Sequence, residues 1–154
     1  MDIRQTLVER LETSRAKMLE HLDEIDKNRK VYPLWTIREI LAHLAGWDDA
    51  LIALIKALAE GREPPTPAAR GADVYNAETV STREGLSYDH IQREYLETRR
   101  VLLEAIRALP AEKVTQPATL PWGGDGTLED LVYLLGPHEE EHAEDVRKII
   151  EESR

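Results

Sequence analysis

The chain has 154 residues, 42% hydrophobic and 32% charged, with no cysteine; that is enough for one domain over 1–154 with a self-sufficient core, and it excludes a disulfide framework or a thiol nucleophile. Its 20 basic and 30 acidic residues give a formal charge of -10, and the densest basic spots are only RKVYP at 29–33 and TRR at 98–100, so a nucleic-acid partner is disfavoured. No basic-then-apolar leader and no apolar run of about twenty residues is present, which predicts a cytoplasmic protein with no membrane partner.

Residues 3–28 carry Ile3, Leu7, Leu11, Met18, Leu22 and Ile25 at helical spacing, which predicts a first helix with one apolar stripe. Pro33 breaks the pattern. Thr36 followed by Glu39 reads as a capping box opening a second helix, striped by Ile40, Leu44, Trp47, Leu51 and Leu58 and closed by Gly61. The three prolines of REPPTPAARG then demand a loop. Residues 74–86, VYNAETVSTREGL, fit either a short helix or an irregular segment. Ser87 caps a third long helix that Pro110 ends. QPATLPWGGDG at 116–126 is a second long loop, and Thr127 with Asp130 caps a fourth helix that runs to Ile150. Gly136-Pro137 predicts a kink in that helix, or a restart at Pro137. The sum is an all-α four-helix bundle with long loops after helices two and three, a pattern that admits a crossover connection without requiring one.

The histidines carry the chemistry. A helix turns about 100° per residue, which places His142 about 20° and His138 about 60° from the centre line of the fourth stripe. His43 lies about 60° from the centre of the second stripe by the same measure. All three face the interior, and His138 and His142 stack one turn apart as ligands on one helix would. Three imidazoles with an open fourth position suit zinc, and nickel or iron would accept the same nitrogens. The alternative is a set of core-edge histidines hydrogen-bonded to carbonyls or glutamates. His21 could be a stray fourth ligand, whereas His90, in a first helical turn, reads as solvated. HEEEH at 138–142 also satisfies the HExxH pattern of zinc peptidases, but three consecutive glutamates on a charged face produce that match by chance. Glu139, about 40° from the stripe on the side away from His138, is the candidate acceptor or catalytic base.

LWTIREILAHLAGWDDAL resembles the second-helix signature of the DinB-like, or YfiT-like, metal-binding four-helix bundles, here as Trp35, Thr36, Glu39, His43, Leu44 and Trp47. HEEEHAEDVRKI resembles their fourth-helix His-x-x-x-His, with His138 and His142 as the other two ligands. DVYNAETVSTREGLSYDHIQREYLETRRVLLEAIRALP and LPWGGDGTLEDLV are similar to the ClbS/DfsB-like subgroup. The resemblance implies a divalent metal, zinc or nickel, on the three histidines and open to solvent. It also implies thiol-transferase or hydrolase chemistry on a small electrophile, with a low-molecular-weight thiol as a further cofactor in the transferases. Isomerase-like members often carry a second C-terminal domain, for which this chain has no room.

Around the triad, Glu39 is a candidate acceptor for the His43 ring. Asn76 resembles an asparagine of the family and reads as a cap or as a ligand-pocket amide. Trp47 is core or dimer seam, and Trp122 either covers the open end of the bundle or pins its loop. Three functions follow: a metal-dependent transferase or hydrolase, a non-catalytic protein that binds or sequesters a small molecule, and a structural bundle working as a homodimer.

Overall fold

A computed structural model describes residues 1–154. Four long helices make the bundle: α1 (Ile3–Leu19), α2 (Ile37–Glu60), α4 (Tyr88–Ala108) and α6 (Leu128–Glu152). A shorter α3 (Ala72–Ser81) and a single turn, α5 (Ala111–Val114), lie in the connections, and the two-residue strands β1 (Ala118–Thr119) and β2 (Asp125–Gly126) form a small antiparallel hairpin before α6.

The predicted caps are present. Glu39 accepts from the Thr36 N–H at 2.9 Å, Ser87 from the His90 N–H at 3.1 Å, and Thr127 from the Asp130 N–H at 3.0 Å. Gly61 ends α2 with a left-handed φ of 68°, a conformation that favours glycine. α1 is shorter than its stripe. It stops at Leu19, yet Leu22 and Ile25 remain buried. Bonds from His21 N–H to the Met18 carbonyl and from Leu22 N–H to the Leu19 carbonyl tighten the chain into turns that keep a spacing of three. Lys27 then donates to the Leu22 carbonyl at 2.7 Å. The apolar period therefore outlasts the helix.

Leu7 and Leu11 of α1 share an apolar cluster with Leu51 and Leu58 of α2, Leu102 and Ile106 of α4, and Leu128 and Leu131 of α6. Met18, Ile40, Leu41, Ile91, Tyr95 and Val146 belong to a second cluster at the other end. The start of α1 and α6 thus lies level with the end of α2 and α4, so the helices run up, down, down, up. The crossover that the sequence admitted is realised: residues 61–87 carry the chain back along the bundle, with α3 packed on α2. That packing is close. A Cβ at Gly46 would come within 2.6 Å of the Thr79 side chain.

α6 runs through Pro137 without a break, where the sequence predicted a kink or restart. The carbonyl that loses its partner belongs to exposed Tyr133, where water can satisfy it. Gly136 lets α6 approach α1, since a Cβ there would meet Ser14 Oγ at 3.1 Å, and Arg10 ties the next turn through Glu140 at 2.7 Å.

Between the two apolar clusters lies a layer that the stripes conceal. Arg15 of α1, Asp48 of α2, Arg99 of α4 and Glu139 of α6 are all buried. Arg15 pairs with Glu139 (2.6 Å) and Asp48 (3.1 Å), and Arg99 pairs with Asp48 (3.1 Å) and Glu139 (2.7 Å). Two cations and two anions close a neutral ring, one charge from each helix. Tyr95 and Thr98 donate hydroxyl protons to Glu139 (2.8 Å) and Asp48 (3.1 Å). The Arg15 guanidinium also lies 3.5 Å from the Tyr95 ring centre. The buried charges are tolerated because each is paired with both opposite charges of the ring, although Arg99 Nε is left without a hydrogen-bond partner.

Candidate metal centre

His43 of α2 and His138 and His142 of α6 meet just above the ionic ring. One ring nitrogen from each lies within 4.8 Å of the other two. His138 Nε2 is 3.4 Å from His43 Nε2 and 3.1 Å from His142 Nε2. Four-coordinate zinc with bonds of about 2.0–2.1 Å sets its nitrogens about 3.3 Å apart, so these two spacings are those of neighbouring ligands. The other two histidines stay away from it: His90 is exposed in the first turn of α4, and His21 borders a separate cleft with Lys17, Glu140 and Glu144.

A turn missed by sequence reasoning supports the cluster. Pro33-Leu34 folds the chain so that Tyr32 and Trp35 exchange backbone hydrogen bonds of 3.1 Å. Trp35 packs against His43 with ring centres 5.1 Å apart, and Tyr32 reaches His142. The Tyr32 hydroxyl lies 2.7 Å from His142 Nδ1 and 2.6 Å from Asp145 Oδ2. Its single proton goes to the carboxylate, so its oxygen accepts the Nδ1 proton of His142. That leaves the His142 Nε2 lone pair bare and aimed at the cluster. The only sequence signal was Asp145, three residues after His142 on α6, with nothing to mark Tyr32.

Burial holds all three imidazoles neutral. It lowers the His43 pKa to about 3, helped by the charges His142 and His138 would carry, with the Asn76 amide pushing slightly the other way. It lowers His142 to about 4 and also lowers His138, against the opposing pull of nearby carboxylates. His43 Nδ1 is buried with no partner at hydrogen-bond geometry. Neutral rings with unshared lone pairs converging on one point are what a divalent cation requires.

The remaining predicted residues divide. Glu39 serves the α2 cap and pairs with Arg38 at 2.8 Å, so it does not accept from His43. Glu139 follows His138 in the chain, but its carboxylate turns into the ionic ring. Burial would raise its pKa; Arg99 and Arg15 outweigh burial and bring it to about 2. Trp47 is buried, edge-on to Tyr75, and donates its indole N–H to Asn76 Oδ1 at 2.8 Å. Asn76 is thus held in place beside the cluster and does not cap α3, whose N-cap is Gly71. Trp122 stands at the tip of the β1–β2 hairpin, where Gly123 takes a φ of 98° and Pro121 accepts from the Ala68 N–H at 2.9 Å. Trp47, Asn76, Trp122 and His138 border one cavity of about 220 Å³. On the opposite side, Tyr32, Glu141, His142 and Asp145 line a polar cleft of about 320 Å³.

No helix is long and apolar enough to cross a membrane. No curated protein sequence matches the chain. Among solved structures, a protein described as the sibling lethal factor precursor DfsB superposes with a TM-score of 0.80 at 18% identity, over 98% of this chain and 96% of that one. The colibactin self-resistance protein ClbS, solved in complex with a dsDNA, gives 0.76 at 12% identity, over 95% and 94%. A mycothiol-dependent maleylpyruvate isomerase gives 0.76 at 16% identity over 93% of this chain, which spans only 60% of the isomerase. These likenesses concern the fold. The sequence profile of the DinB superfamily matches residues 10–146, and the chain belongs to that superfamily.

Proposed function

We propose that the protein is a metal-dependent enzyme, a thiol transferase or hydrolase, acting on a small reactive electrophile at His43, His138 and His142. The observation that carries this reading is the convergence of three neutral imidazoles beside a cavity that a small molecule can enter. A divalent metal, zinc or nickel, held there would supply a Lewis acid that lowers the pKa of a thiol or water. The chain's own residues do the rest. Tyr32 and Asp145 hold the His142 ring, Trp35 and Asn76 flank His43, and Trp47 and Trp122 wall the cavity. The mycothiol dependence of the structurally similar isomerase supports a low-molecular-weight thiol as cofactor.

A second reading, sequestration without turnover, draws on Glu139. Both its oxygens are engaged by Arg15, Arg99 and Tyr95, and a carboxylate held so far below neutrality is a weak base. We therefore assign Glu139 to the ionic ring, which leaves the transferase better supported than the hydrolase. Elemental mass spectrometry of tag-free protein tests the site. About one zinc or nickel per chain is expected, lost in the variant with all three histidines changed to alanine while helicity persists. No metal after soaking with either ion would overturn the assignment. Turnover of an electrophile with a low-molecular-weight thiol then separates enzyme from sequestering protein.

A further inference from the structure

The cavity beside His138 has a chemistry of its own. Its walls come from four places in the chain: Trp47 on α2, Asn76 on α3, Trp122 on the hairpin tip, and Leu134, Leu135 and His138 on α6. No lining residue carries a formal charge, in a protein where 32% of residues do. The cleft on the other side of the cluster is the reverse, with Glu141, Glu144, Asp145 and Lys148 around His142. A molecule approaching His138 through the first space thus meets apolar walls, and one approaching His142 through the second meets a net acidic set.

The mouth is apolar as well. Trp122 is 36% exposed and Leu134 55%, and both border the void. Apolar surface around an open space gains free energy when an apolar group displaces the water. An engineered cavity of about 150 Å³ lined by aliphatic and aromatic side chains takes benzene. The space here, about 220 Å³, suits a somewhat larger group and falls short of the roughly 300 Å³ at which sites for whole drug-sized ligands begin. Asn76 supplies one neutral polar contact, fixed because Trp47 occupies its Oδ1.

We infer that this cavity is the subsite for an uncharged, flat, apolar portion of the substrate, an aromatic or conjugated group of up to two fused rings, with its reactive end toward His138. The word substrate rests on the proposed function; the subsite itself does not. The three tryptophans give three indole N–H signals in NMR, and only Trp47 and Trp122 border the cavity. Titration with 1-naphthol should shift those two saturably and leave Trp35 nearly still. 1-Naphthoate should bind at least tenfold more weakly. Leu134→Glu, at an exposed position, should weaken 1-naphthol tenfold or more, and Leu134→Lys should bring the naphthoate affinity up toward that of naphthol. Equal affinity for the two probes, shifts that bypass Trp47 and Trp122, or indifference to Leu134→Glu would overturn the inference. So would dependence of the Trp122 signal on protein concentration with a doubled mass, which would mark the face as a contact between copies. Running the titration with and without chelator separates the two proposals: probe binding in a chain that takes up no metal keeps the subsite and loses the metal, and metal without probe binding does the opposite.

Discussion

Tyr32 shows how much of the centre depends on residues outside the ligand set. Its hydroxyl bridges His142 Nδ1 and Asp145, so Tyr32→Phe removes the acceptor that orients the ring while leaving the packing intact. Metal affinity, measured by competition with a chromogenic chelator, should fall by about tenfold to a hundredfold with the circular dichroism unchanged. Unaltered affinity would show that the bridge does not orient a ligand. Glu139 makes the opposite case. Glu139→Gln leaves the guanidinium groups of Arg15 and Arg99 short of an anion, so the unfolding free energy in urea should drop by about 3–5 kcal/mol. A catalytic base would instead lose turnover and keep its stability. The three histidines were legible because each lies on a regular helix, where sequence number fixes direction. Tyr32 was not, because the segment between Ile25 and Ile37 has no period to read. Arg15 and Arg99 escaped for another reason: a charged residue beside an apolar stripe looks solvated until its counter-ions, 33 and 40 positions away in the chain, are brought to it.

At the scale of elements, close backbone approach decides more than propensity. α3 lies on α2 through Gly46, where Thr79 occupies the space of a side chain, and the Tyr75 hydroxyl donates to the Gly46 carbonyl. Gly46→Ala should destabilise the protein by about 1–3 kcal/mol, read from urea unfolding, and adding Thr79→Ala should restore part of that loss. Additive losses would mean that the contact is not what Gly46 protects. This packing also explains why residues 74–86 could not be decided from sequence. A ten-residue helix is marginal alone, and α3 owes its existence to α2. The end of α1 illustrates the converse error: buried leucine and isoleucine recur every three or four residues through Ile25, although α1 itself ends six residues earlier, at Leu19. At Gly136-Pro137, local chemistry predicted an interruption that packing against Ser14 and Arg10 overrides.

For the whole molecule, the buried titratable groups set the acid limit. His43, His142 and His138 have native pKa values below the ordinary histidine value of about 6.5, and Glu139 is lowered to about 2. In each case the unfolded chain binds protons that the native chain refuses, so stability is full above the unfolded pKa and declines as pH falls. The decline should begin below about pH 6.5 from the histidines and steepen below about 4.5 as Glu139 adds its share. Urea midpoints at pH 7, 5.5 and 4 would show it, and a flat profile would contradict the burial of these groups. Metal works the other way. At a thousandfold excess over its Kd, a cation confined to the native state adds about 4 kcal/mol. Chelator should lower Tm in the wild type and leave the triple histidine variant unmoved.

The ring of Arg15, Asp48, Arg99 and Glu139 also has a bearing on inheritance. Asp48 stands five positions after His43 and Glu139 directly after His138, so the ring fixes the height of α2 against α6 and thereby brings the histidines level. Sliding either helix by one turn, about 5.4 Å, would strand two charges and part the imidazoles together. Loss of any one member leaves a net charge in the core, whereas exchange of all four for apolar residues of similar volume would be tolerated. Descendants of this chain should therefore keep the quartet or abandon it as a set, and those that abandon it must find another device to hold the three histidines in register.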